Sequence, residues 1–136
     1  MNKHLEEEIP PQTLRIIDAN LNRLREGIRV IEDICRFYKN SHELSLRLKN
    51  LRHTARLQNF HELLESRDII NDPLKETTKS EMIRESLEII IISNMKRAQE
   101  SSRVLEEILK LGNSEDAQKF KHIRYELYNL EKEILL

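Results

Sequence analysis

One helical phrase occurs twice in this chain, 74 residues apart: residues 19–37 (ANLNRLREGIRVIEDICRF) and residues 93–111 (SNMKRAQESSRVLEEILKL). Seven of the nineteen aligned positions are identical: Asn20/Asn94, Arg23/Arg97, Glu26/Glu100, Arg29/Arg103, Val30/Val104, Glu32/Glu106 and Ile34/Ile108. Two unrelated helices of this composition would share about one such identity, so the repeat marks a duplicated structural unit. Five of the seven repeated residues are polar, which points beyond shared packing toward a shared chemical requirement.

The duplication extends into a second helix of each half. RLKNLRHTARL (47–57) aligns with KFKHIRYELYN (119–129), placing Arg52 on Arg124. Two Gly, three Pro and 4% aromatic residues among 35% charged ones suit helices with mixed-sign surfaces rather than a sheet. The expected fold is therefore all-α: an antiparallel bundle of four main helices, built as two pseudo-twofold-related hairpins. Residues 1–11 read as a flexible N-terminal segment, and 12–136 as one domain with repeat halves at about 12–66 and 80–136.

Pro10 and Pro11 suit the entry to the first helix, which should run to about Lys39. Asn40 and Ser41 make a turn, with Ser41 capping a second helix to about Ser66. Residues 67–79, which include Pro73, form the one long connection. Thr78 and Glu81 have capping-box spacing for the third helix, Gly112 ends it, and Ser114 caps the fourth.

Charge excludes some partners. The 23 basic and 24 acidic residues nearly cancel, so the overall field attracts neither nucleic acid nor an anionic membrane. Cys35, the only cysteine, cannot form an internal disulfide and reads as a buried apolar residue. The longest apolar run, 87–92, is interrupted by Glu88 and is far too short for a bilayer. With no basic-then-apolar opening, a cytoplasmic location is expected.

On a helical wheel Asn20 falls at the centre of an apolar face made by Ile16, Ile17, Leu24, Ile28, Ile31, Ile34 and Tyr38. Arg23 lies inside that arc and Glu26 at its edge. Asn94, Arg97 and Glu100 repeat the pattern, while Arg52 and Arg124 fall beside apolar stripes of their own. Four guanidiniums thus point inward and need partners. Glu26 and Glu100 can supply two, leaving excess positive charge suited to phosphate or carboxylate oxygens. The competing structural reading makes Arg23–Glu26 and Arg97–Glu100 ordinary pairs at i,i+3 and the two asparagines register-fixing residues. Arg29, Arg103, Glu32 and Glu106 read as solvated salt-bridge residues. Asp68 and Asp72, four apart in the long connection, are candidate magnesium ligands.

The runs RIIDANLNRLREGIRVIEDICRF (15–37), LRH (51–53), KRAQESSRVLEE (96–107) and RYELYNLE (124–131) resemble the small helical hydroxymethylpyrimidine-phosphate kinases of thiamine biosynthesis, which occur alone or fused ahead of thiamine-phosphate synthase. The resemblance implies ATP-dependent phosphorylation of 4-amino-5-hydroxymethyl-2-methylpyrimidine phosphate, with Mg²⁺, and a functional link to the synthase. It departs in the connection, where Pro73 and Leu74 follow Asp72 and a Gly is expected.

With no Gly-rich phosphate loop present, side chains must neutralise phosphate. On this reading Arg23, Arg97, Glu26 and Glu100 are catalytic, and Asn20, Asn94, Arg52 and Arg124 bind substrate phosphates. Two rivals stand beside it: a chorismate-mutase-like helical enzyme whose arginines grip carboxylates, and a non-catalytic helical interaction module. Self-association stays open. Such fusions lend the synthase's name to the small domain, although 136 residues fall short of the roughly 200 or more that a synthase barrel needs.

Overall fold

The computed structural model describes residues 9–78, 81 and 83–136, and every regular element among them is helical. Helix α1 spans Pro11–Asp33 and runs directly into a π-helical turn, Ile34–Tyr38. Then follow α2 (His42–Thr54), α3 (Phe60–Ser66), α4 (Leu87–Leu109) and α5 (Ser114–Leu135). The all-α bundle stands, but with five α-helices among the described residues rather than four. The expected N-terminal segment lies mostly outside the described residues.

Each departure from expectation has a local cause. The π turn adds a residue to the helical repeat. It turns Cys35 into the core and leaves Tyr38 exposed, although the wheel put Tyr38 on the apolar face. Asn40 then takes a left-handed conformation (φ 52°), which asparagine tolerates, and Ser41 caps α2 by accepting from the Leu44 amide at 3.2 Å.

The expected second helix breaks at Ala55 (ψ 70°). Leu48, Leu51 and Ala55 line one buried stripe, but on a continuous helix Leu63 would point roughly 90° away from it. The irregular 55–59 segment re-aims α3 so that Leu63 enters the core.

Helix α4 starts later than expected. Thr78 spends its hydroxyl on the Glu81 side chain, and the cap is Ser86, whose Oγ accepts from the Ile89 amide at 3.1 Å. At α5 the cap is Asn113 rather than Ser114, its Oδ1 accepting from the Glu115 and Asp116 amides.

Helices α1 and α4 form the centre of the bundle and run antiparallel. Ile9, just before α1, meets Gly112, just after α4, while Gly27 in mid-α1 meets Asn94 and Ala98. A Cβ on Gly27 would stand 3.1 Å from the Asn94 carbonyl oxygen, so the missing side chain is what lets the two backbones approach. Helices α2 and α3 cover α1 on one side, and α5 covers α4 on the other. In α5, Ala117, Phe120, Ile123, Leu127, Leu130 and Ile134 recur every three or four residues and close the core. No helix among the described residues is long and apolar enough to cross a membrane.

Candidate functional site

The repeated polar residues separate into three groups once their partners are visible. Arg52 and Arg124 are not free to grip a substrate. Arg52 meets Glu32 through Nε–Oε1 at 2.7 Å and Nη2–Oε2 at 3.2 Å. Arg124 donates Nη2 to Glu106 Oε1 at 2.8 Å and Nη1 to the Tyr128 hydroxyl at 3.2 Å.

Both pairs are about nine-tenths buried, at 13% and 3% side-chain exposure for Arg52 and Glu32 and 11% and 8% for Arg124 and Glu106. The Glu106 hydrogen bond, then the Tyr128 contact, raise the basicity of Arg124 further. The expectation that Glu32 and Glu106 are solvated is therefore corrected: they neutralise Arg52 on α2 and Arg124 on α5. Arg29 and Arg103 do lie at the surface, bridging toward Asp33 and Glu107. The mutase rival loses two of its anion grips by the same observation.

The asparagines are turned onto their own helix. Asn20 Nδ2 donates to the Ile16 carbonyl and Asn94 Nδ2 to the Ile90 carbonyl, both at 2.9 Å, so each amide is tied to its own helix rather than to the other asparagine. Arg23, Arg97, Glu26 and Glu100 are exposed rather than inward. Among the described residues neither arginine pairs with its expected glutamate. Arg23 keeps only a long 3.5 Å contact to Asn20 Oδ1.

A groove of about 470 Å³ lies between the first half of α1 and the segment after α3. It gathers four sequence-predicted residues, Asn20, Arg23, Asp68 and Asp72, and three the sequence did not single out, Arg15, Asp18 and Arg67. Arg97, Asn94, Glu100, Arg52 and Arg124 do not line it.

Arg67 clamps the wall to α1 by a two-pronged bond to buried Asp18, Nε–Oδ2 at 2.8 Å and Nη2–Oδ1 at 2.9 Å. Arg15 Nη2 adds a 2.8 Å bond to the Asp68 carbonyl. These partners lie 49 and 53 residues apart, so periodicity carries no sign of them. The only local hint was an arginine immediately before Asp68.

Asp68 and Asp72 first of all shape the wall. Asp68 accepts from the Ile70 and Asn71 amides and from Asn71 Nδ2 at 2.6 Å, and Asp72 accepts from the Leu74 amide at 2.9 Å. The asparagine side chain holds the Asp68 carboxyl below the ordinary aspartate range, helped by the Asn71 amide and Arg15. A carboxyl depressed in the folded state contributes stability that is present above its unfolded value, about 3.9, and is lost as pH falls through the folded one. A carbon-detected titration should place Asp68 below the ordinary aspartate value of about 3.9, and Asn71→Ala should move it back up.

No group of three or more His, Cys, Asp or Glu among the described residues makes a metal cage. A magnesium ion here would rest on Asp68 and Asp72 plus ligand oxygens, the sharing with phosphate that this ion favours.

Arg15 and Arg23 stand on α1 at i and i+8, and neither makes an ion pair among the described residues, although Arg15 lies close enough to Asp68 to favour its ionised form. The groove can therefore neutralise a phosphate, with carboxylates opposite it for a cation. Fold and site together define an all-helical domain with an arginine-bearing groove. The chain belongs to the ThiD2 family, which it matches over residues 15–133.

Among curated proteins it is 39% identical over 130 residues to a thiamine-phosphate synthase of Nostoc punctiforme, covering 95% of this chain and 37% of that protein. It is 43% identical over 131 residues to one of Prochlorococcus marinus subsp. pastoris (93% and 37%) and 40% identical over 123 residues to one of Thermosynechococcus vestitus (90% and 35%). The chain thus spans little more than a third of the length of these relatives. No solved structure gives a significant match. The relatives' shared name corrects the expectation of a hydroxymethylpyrimidine-phosphate kinase with ATP as co-substrate: they are named for synthesis of thiamine phosphate, not for phosphoryl transfer.

Proposed function

We propose that this chain serves thiamine-phosphate synthesis as the helical part of a thiamine-phosphate-synthase-type protein, and that its α1 groove holds a phosphate-bearing molecule of that reaction. The observation that carries the proposal is the placing of Arg15 and Arg23, neither in an ion pair among the described residues, in one groove whose wall is fixed by Arg67–Asp18, in a chain whose relatives are named for synthesis of thiamine phosphate.

The chain corresponds to a little over a third of those relatives, so its share is binding and presenting the phosphorylated molecule. Mg²⁺ would bridge that phosphate to Asp68 and Asp72. Arg97 and Glu100, exposed on α4, and Glu26, near Arg67, are outside this assignment. The matched Arg52–Glu32 and Arg124–Glu106 pairs support a duplicated origin with pseudo-twofold hairpins, the first hairpin elaborated by α3. A cytoplasmic location and a working link to the rest of a synthase belong to the same proposal.

Calorimetric titration of the chain with thiamine phosphate, with and without Mg²⁺, tests the reading. Wild-type protein should bind thiamine phosphate more tightly than thiamine, and Arg23→Ala should weaken binding by roughly tenfold or more, as expected for loss of one charge-assisted contact. A chain that binds neither compound, and leaves the rate of thiamine phosphate formation by the full-length synthase unchanged, would overturn it.

A further inference from the structure

The repeated Arg-to-Glu step of the two long helices is only partly taken up by the groove. Arg23 lines it, whereas Glu26, Arg97 and Glu100 do not. All four side chains are exposed, and none of them makes an ion pair among the described residues. Glu26 does lie near Arg67, but that guanidinium is held chiefly by Asp18.

Their placement follows from how α1 and α4 meet. Arg23, Glu26 and Val30 lie on the side of α1 away from the buried Leu24, Ile28 and Ile31. Arg97, Glu100 and Val104 take the same side of α4, away from Ile91, Met95 and Leu105. Gly27 sits between Asn94 and Ala98: a Cβ on it would stand 3.1 Å from the Asn94 carbonyl oxygen and 3.5 Å from the Ala98 Cβ. Since the helices are antiparallel, that register sets Glu26 opposite Arg97 and Arg23 opposite Glu100. Cation and carboxylate therefore alternate both along each helix and across the seam, as on a checkerboard.

The stripe bearing these charges faces solvent. Ile16 and Val30 flank them on α1 at 41% and 38% exposure, and the repeat counterparts Ile90 and Val104 flank them, half-buried, on α4. An open two-helix face with apolar groups beside unpaired charges fits a partner whose own charges are ordered to match.

A checkerboard matches itself. Turning one copy by a half-turn about an axis in the face, parallel to the helices, brings its Arg23 over Glu100 of the other and its Glu26 over Arg97. The same operation closes the reciprocal contacts, as a twofold interface requires. We infer that a second copy of this chain docks on the α1–α4 face, each arginine of the checkerboard meeting a glutamate of the other copy. Arg23 borders both this face and the groove, so association is read without thiamine phosphate, and the variants change only Glu26 and Arg97.

Sedimentation equilibrium of the whole chain tests this. The wild-type mass should rise with concentration from 16.3 kDa toward twice that value. Added salt should shift it back toward one chain as the ion pairs are screened. Arg97→Glu sets a carboxylate over Glu26, and Glu26→Arg sets a guanidinium over Arg97. Each alone should raise the dissociation constant roughly tenfold or more. Mixed in equal amounts, the two variants match again and should pair as tightly as wild type. Far-ultraviolet circular dichroism checks that each keeps its helices; should either unfold, the salt dependence decides. A wild-type chain that stays at 16.3 kDa would leave the face to a different partner and overturn the proposal. So would association insensitive to salt, folded single variants that pair as wild type does, or a mixture of folded variants that fails to recover.

Discussion

Glu106→Ala is expected to cost about 3–5 kcal/mol of folding stability, because it leaves the buried Arg124 guanidinium without its carboxylate. Arg124 Nε is buried and unpartnered even in the native protein, so Tyr128 alone cannot take up the lost interaction. Glu32→Ala should behave alike through Arg52, which is about as deeply buried as Arg124 and meets its carboxylate through two nitrogens.

Urea denaturation followed by circular dichroism measures both. The double variant Glu106→Leu with Arg124→Met should recover most of the loss, because replacing a buried ion pair with apolar groups is often close to neutral. A Glu106→Ala protein within about 1 kcal/mol of wild type would show that the pair is solvated after all.

Gly27→Leu is the second large effect, about 3 kcal/mol of destabilisation by overpacking. The added side chain would point at the Asn94 carbonyl and at Ala98, on backbone that cannot swing aside like a flexible side-chain end. Helices α1 and α4 would have to separate along the centre of the bundle. Gly27→Ala gains up to roughly 1 kcal/mol in helix propensity against its tight contact, so the pair of substitutions separates propensity from close packing. Thermal melting of the two variants side by side gives the comparison, and equal stabilities would rule out the close approach as the reason for glycine.

Much of this architecture was legible because helices write their faces into the chain. The i, i+3, i+4 recurrence of Leu24, Ile28 and Ile31 predicts a buried stripe that the structure contains. The break at Ala55 and the π turn at Ile34–Tyr38 were not legible. No Gly or Pro marks either one, and both exist to turn Leu63 and Cys35 toward a core that is defined only after the helices pack.

The site divides along the same line. Asn20, Arg23, Asp68 and Asp72 were candidates on type and position, and the groove gathers them. Arg52 and Arg124 are legible as inward-facing, but the sequence reading leaves them to substrate phosphates, whereas Glu32 and Glu106 take them. A wheel gives an angle on one helix, and ion pairing is decided by what the neighbouring helix brings opposite.

By itself the sequence determined the helical class, the repeated helical phrase and the need for buried arginines to find carboxylates, because these follow from local periodicity and the cost of an unpaired charge. Only the tertiary structure decided that Glu32 and Glu106 are those carboxylates and that Arg67 and Asp18 fix the groove. Such pairings depend on distances across helices, and chain spacing does not encode them.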